Sequence, residues 1–201
     1  MLVRTNEGAA MQGRLNQVGA TVTIVGSILF LVAAFLPISY RVFPQPSAGK
    51  KLESINAART EWLVAQVLFG LGAVVTVIGI GLYAYYARRA PFAGLIWSSV
   101  ALLTVGVVPW LWQVYARAAD PEWFAQDSFP MWPYLFYFLV TEVGLAVLGV
   151  ALLSAPVPTW VGLVVIGSMV VLVVLTLIFR DMVPLAFYIV TLLAGVMFFR
   201  Q

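Results

Sequence analysis

Six long apolar runs leave this chain few folds to choose from. They cover roughly residues 17–40, 62–87, 91–116, 132–154, 158–179 and 183–199. A helix needs about 20 apolar residues to cross about 30 Å of hydrocarbon. The last run is short, so it must stand nearly upright or stop within the interface. The runs are continuous rather than alternating, which argues against barrel strands. Water would not tolerate them: 63% of the 201 residues are hydrophobic and only 9% charged, where a soluble chain carries about 25% charged residues. The expected fold is all-α, a polytopic bundle of six transmembrane helices forming one domain over residues 1–201, without a soluble domain. The run from Val18 to Ile38 exceeds the usual signal-peptide core of about 7–15 residues, so it reads as a retained helix.

Missing residue types exclude several chemistries. The chain has no Cys and no His. Disulfides, thiolate metal sites and iron–sulfur clusters are therefore out, as are His-ligated haem and chlorophyll, most zinc sites and the Ser-His-Asp triad. Its only lysines, Lys50 and Lys51, lie in a polar loop, so a retinal-type Schiff base within the bundle fails too. The expectation is no metal and no cofactor. The net charge of +3 is scattered through loops. That pattern suits anionic headgroups rather than nucleic acid, so the lipid bilayer is the expected partner.

Prolines punctuate the runs. Pro91, Pro133, Pro158 and Pro184 stand where helices should begin, a position at which a missing N–H costs nothing. Pro37 should close the first helix, and Pro109 should kink the third. Asp181 is placed to cap the sixth. Two polar loops, 41–61 and 117–131, fall on one side of the membrane if there are six crossings. Counting Lys and Arg near helix ends sets Arg4, Arg14, Arg88, Arg89 and Arg200 against Arg41, Lys50, Lys51, Arg59, Arg117 and Arg180. That count is nearly even. The short Arg88-Arg89 hairpin and the N-terminal arginines favour cytoplasmic termini. Tyr40, Trp62, Trp110, Trp112, Tyr115, Trp123 and Trp132 read as one interfacial belt, and Tyr83, Tyr85, Tyr86, Trp97 and Trp160 as the other. A short echo links Ile24-Val25-Gly26-Ser27 with Val165-Ile166-Gly167-Ser168, although this composition produces such echoes by chance.

Glu142 is the sharpest polar feature, mid-way along the fourth run. A charged carboxylate there is expensive, about 2.5–3.5 kcal/mol on insertion scales. Helical spacing puts it on a stripe with Phe138, Ala146 and Gly149, which should face the bundle. It is then either protonated or beside a wet cavity. It serves a proton or a substrate, or it bonds across helices as structural glue; the second reading is the plainer one. Gln66 and Gln113 are its candidate partners. The three could line one cavity opening toward the long loops, or form three separate interhelical bonds, and the separate bonds are favoured. Arg59 and Trp62, with Glu61, form an interfacial cluster. Arg59 could bind a lipid phosphate or pair with an acid of residues 120–127, but anchoring at the interface is the simpler role. No nucleotide or hydrolase motif occurs.

The stretch Asn56-Ala57-Ala58-Arg59-Thr60-Glu61-Trp62-Leu63-Val64-Ala65-Gln66 opens the second helix after a polar loop. Val157-Pro158-Thr159-Trp160-Val161-Gly162 precedes the fifth. With the layout of the whole chain, these resemble uncharacterised six-helix bacterial membrane proteins grouped as domains of unknown function. The resemblance implies a bacterial cytoplasmic-membrane protein and carries no activity or site.

The leading expectation is a non-enzymatic structural or accessory component, such as a subunit of a larger membrane assembly. The alternative is a transporter for a proton or small solute using Glu142. An intramembrane enzyme acting on lipids ranks last.

Overall fold

The structure is a computed structural model. It describes residues 3–128, 130–179 and 184–199, with side-chain surroundings for 16–128, 130–176 and 184–199. The side chains of Arg4, Arg14, Arg180, Asp181 and Arg200, on which the charge count and one cap relied, lie outside these. All regular structure among the described residues is helical: α1 (Val3–Phe35), α2 (Pro37–Val42), α3 (Ala48–Ala57), α4 (Arg59–Tyr86), α5 (Ala93–Ala119), α6 (Pro121–Ala125), α7 (Trp132–Leu152), α8 (Thr159–Phe179) and α9 (Leu185–Phe199). Five of these, in α1, α4, α5, α7 and α8, are long and apolar enough to cross a bilayer, and α9 is a shorter apolar helix. The chain is a multi-pass helical membrane protein.

The expected boundaries shift in three places. The first helix ends at Phe35 rather than near 40, because Pro37 begins α2. Pro37 has no N–H to give the carbonyl of Ala33. Ser39 Oγ donates to that carbonyl instead, at 2.8 Å. The polar stretch 41–61 is largely helical, containing α3 and the start of α4, and 117–131 contains α6. In α6, Asp120 accepts from Trp123 N as the N-cap. Third, α5 runs through Pro109 to Ala119.

α1 and α4 form the closest helix pair. Each carries the same pattern, Gly19-Ala20-x-Val22-Thr23-x-x-Gly26-x-x-Leu29 and Gly72-Ala73-x-Val75-Thr76-x-x-Gly79-x-x-Leu82, followed by Phe30 and Tyr83. The helices run antiparallel and the patterns meet reciprocally. Gly26 lies against the Thr76 backbone and Gly79 against that of Thr23, too close for any Cβ. A Cβ at Gly72 would sit 2.6 Å from Phe30 N, and one at Gly19 2.9 Å from Tyr83 N. Both threonines turn their hydroxyls back onto their own helix, Thr23 to Gly19 O at 2.9 Å and Thr76 to Gly72 O at 2.8 Å. This satisfies each hydroxyl within its own helix, and the oxygens lie at the contact itself, Thr76 Oγ1 against Gly26 and Thr23 Oγ1 against Gly79. Lipid tails supply no hydrophobic drive for helix association, so close backbone approach of this kind does the work.

α9 lies along α1. Phe30 stacks on Tyr188 at 3.5 Å between ring centroids, and Tyr83 stacks on Phe198 at 3.7 Å. Between these, Ser27 Oγ and Thr191 Oγ1 are 2.8 Å apart, and at the end of α9 Asn16 Nδ2 donates to Phe198 O at 2.9 Å. α7 packs on α5 and on α8; Gly149 and Gly162 meet at the α7–α8 contact. The two aromatic belts need correction. Trp62, Trp110 and Tyr83 are buried core residues, whereas Tyr40, Trp112, Tyr115, Trp132, Tyr85, Trp97 and Trp160 are exposed.

Gly26→Ala should lower stability by about 1–3 kcal/mol, the usual cost of an overpacked contact. Gly167→Ala, where nothing lies within 4 Å of the added atom, should not destabilise the protein. Equal unfolding midpoints for these two variants in detergent would remove the α1–α4 contact from its structural role.

Candidate functional site: a cavity at the interface

Five rings from five helices converge at the end of the bundle nearest α2, α3 and α6. Phe30 of α1 packs edge-on against Phe69 of α4 at 4.8 Å, and Trp110 of α5 stacks on Tyr137 of α7 at 4.7 Å. Phe30 stacks on Tyr188 of α9, whose hydroxyl lies 3.0 Å from that of Tyr137. Trp110 also donates its indole N–H to Phe69 O at 3.3 Å, which ties α5 to α4. Aromatic pairs in these geometries contribute about 0.5–1.5 kcal/mol each beyond the area they bury. The result is a rigid aromatic floor.

A cavity of about 400 Å³ stands on this floor. Phe69 and Trp110 form its base; Ala34, Ser39, Tyr40, Phe43 and Pro44 form one wall, and Phe124 and Tyr134 contribute to the others. Lys51, Arg117 and Asp127 bring charge to it. The short helices build this lining. α2 brings Ser39 and the exposed Tyr40 to the cavity after Pro37, with Phe43 just beyond it, and Glu61 Oε1 accepts from Ile38 N at 2.9 Å to secure the start of α2. α3 buries Ile55 and Lys51 on one face. Lys51 Nζ pairs with Asp127 Oδ1 at 2.6 Å. The Arg117 guanidinium lies among the rings of Phe43, Trp110 and Phe124, at 5.6, 5.6 and 5.2 Å from their centroids. Cation–π attraction of this kind strengthens when water is excluded.

The candidates named from sequence fall in three separate places. Trp62 is fully buried, and its indole N–H donates to Arg117 O at 3.1 Å. Arg59 Nη2 donates to Ala118 O at 2.8 Å rather than to an acid of residues 120–127. Both side chains therefore satisfy carbonyls at the end of α5, which lack intrahelical partners. This locks the helix end that presents Arg117. Gln66 and Gln113 are buried along the α4–α5 contact, between the Trp62–Arg117 and Trp110–Phe69 bonds. Neither amide atom of Gln66 has a hydrogen-bond partner, nor does Gln113 Oε1. Neither glutamine lines the cavity.

Glu142 lies elsewhere again. It is buried against α8, where Thr176 Oγ1 donates to its Oε1 at 3.1 Å, and its Oε2 has no partner. α5 and α7 meet with Gly106 beside Thr141 and Trp110 beside Tyr137. That register puts Gln113 near the level of Tyr134, about 12 Å along the axis from Glu142 at about 1.5 Å per residue. One cavity shared by Gln66, Gln113 and Glu142 is not formed. Among the described residues no group of three or more metal-ligating side chains comes together.

Sequence reading missed the cavity because its walls come from segments taken for loops. The signal was present in 48–57, where Lys51 and Ile55 share one face of a helix. For Glu142, a double-mutant cycle with Glu142→Gln and Thr176→Val should give a coupling near 0.6 kcal/mol and no more than about 1.7, the range for intramembrane hydrogen bonds. A coupling of zero would mean that the Thr176 bond does not contribute.

No family model, no curated protein and no solved structure matches this chain.

Proposed function

We propose that the chain is a non-enzymatic accessory component of a bacterial cytoplasmic membrane that binds one amphiphilic molecule in the interfacial cavity. The observation that carries this reading is the shape of the lining. Phe69 and Trp110 fill the base with aromatic surface, and the charged groups of the lining are Lys51 of α3, Arg117 at the end of α5 and Asp127 just after α6. A molecule with one apolar and one polar end matches that order. Small-molecule sites are typically concave and mostly apolar, with a few placed polar groups, in volumes of about 300–1,000 Å³. In this reading α9 is the sixth crossing. The termini are cytoplasmic, the cavity opens on the opposite face, and other membrane subunits are reached through the lipid-facing helices.

Native mass spectrometry of the protein extracted in mild detergent should show one retained amphiphile per chain. Ala34→Phe, which fills the cavity wall, should lose it. Leu71→Phe, on an exposed face of α4, should keep it. Equal retention by folded samples of both variants would overturn the reading.

Orientation has its own test, since the chain has no Cys. Single cysteines at Ser47 and Arg88, both exposed, should differ. An impermeant maleimide added to intact cells should label position 47 only, and labelling of position 88 alone would invert the topology.

A further inference from the structure

We propose that Lys51 receives an acidic headgroup, a phosphate or carboxylate, and that Asp127 holds that place when no ligand is bound. This rests on the cavity being the binding site. Lysine is seldom buried unless paired, and Lys51 is only 8% exposed while lining the cavity. Its ammonium has three donors. Among the described residues its one hydrogen-bond partner is Asp127 Oδ1, at 2.6 Å, and it also lies 5.8 Å from the centre of the Phe124 ring.

The two ends of this ion pair are unequal. The Lys51 side chain is 10% exposed and that of Asp127 70%. An acid so open to water contributes little net stability through its pairing, and it can be released at low cost. The ammonium cannot leave in the same way, because Ile55 on its own face of α3 is fully buried. Buried positive charge therefore stays in the wall, with an exchangeable anion on it. Arg117 lines the same cavity, so an incoming phosphate or carboxylate meets a wall with two cationic side chains. The aromatic base below would take the apolar part of the same molecule.

The backbone at Asp127 makes the test clean. Asp127 has φ 52°, a left-handed conformation that Asn and Asp adopt more readily than other non-glycine residues. Asp127→Asn should keep the turn while removing the competing charge. The probes are nanodiscs or mixed micelles with phosphatidylglycerol, phosphatidylcholine or inorganic phosphate, read by native mass spectrometry and by displacement.

The wild type should prefer phosphatidylglycerol to phosphatidylcholine. Asp127→Asn should raise phosphatidylglycerol affinity a few-fold, about fivefold at most, the scale of removing one solvent-exposed charge pair. Lys51→Met should abolish both the preference and the gain from Asp127→Asn while retaining phosphatidylcholine. Lys51→Arg should restore the preference, which separates charge from folding. Displacement of lipid by millimolar inorganic phosphate in Asp127→Asn would identify the free anion as sufficient. Failure to displace would identify the lipid headgroup; both outcomes support the assignment if they depend on Lys51. A headgroup preference unchanged by Lys51→Met, or no gain from Asp127→Asn, would overturn it while leaving the cavity as a site for neutral amphiphiles. Binding of no amphiphile by the wild type would overturn both this inference and the proposed function.

Discussion

Two backbones in contact, those of α1 and α4, set the positions of the other parts. Gly19, Gly26, Gly72 and Gly79 remove the side chains that would separate them, and Thr23 and Thr76 bond their hydroxyls back onto their own helices. In lipid this geometry matters more than in water, because apolar side chains gain nothing by leaving one hydrocarbon surface for another. The contact is also reciprocal. The same pattern, read in opposite directions, puts Phe30 at one end and Tyr83 at the other. Each ring then stacks on a residue of α9, so a 15-residue helix is fixed at both ends by the pair it lies against.

From that frame the cavity follows. Phe30 is fixed by the α1–α4 contact and becomes one ring of the aromatic floor, with Phe69, Trp110, Tyr137 and Tyr188. Trp62 and Arg59 hold the end of α5 by its carbonyls, and the next turn of the chain delivers α6 and Asp127. α2 follows Pro37, and α3 carries Lys51 to meet Asp127. Buried charge reaches this level from two sources, Lys51 of α3 and Arg117 at the end of α5, whose guanidinium lies among Phe43, Trp110 and Phe124. Glu142, the acidic residue placed deep in α7, bonds to Thr176 and lies apart from the cavity.

The spanning helices were legible because each run is longer than a buried soluble helix needs and nearly free of charge. The stop at Pro37 was legible from its missing N–H. Of the stripe Phe138, Glu142, Ala146 and Gly149, three residues are buried, Gly149 against α8, and Ala146 is partly buried against the core. Position along a run, however, does not say which way an aromatic points. Trp62, Trp110 and Tyr83 sit near the ends of their runs, as belt residues do, yet they face inward. Short amphipathic helices such as α3 are hard to see because ten residues offer fewer than three turns of periodicity. The Gly-Ala-x-Val-Thr pattern shared by α1 and α4 is visible in the sequence once those two helices are aligned. The weaker echo between α1 and α8 has no counterpart in packing: Gly26 presses on Thr76, whereas nothing lies within 4 Å of a Cβ at Gly167.

The central claim is that the space above Phe69 and Trp110 exists to be filled by an amphiphile. An experimental density map of the protein purified with its native lipids addresses it directly. The account predicts continuous density over those two rings, elongated toward Lys51, with its polar end in place of the Asp127 carboxylate. A closed space there, or one holding separate water peaks with Asp127 still on Lys51, would contradict it.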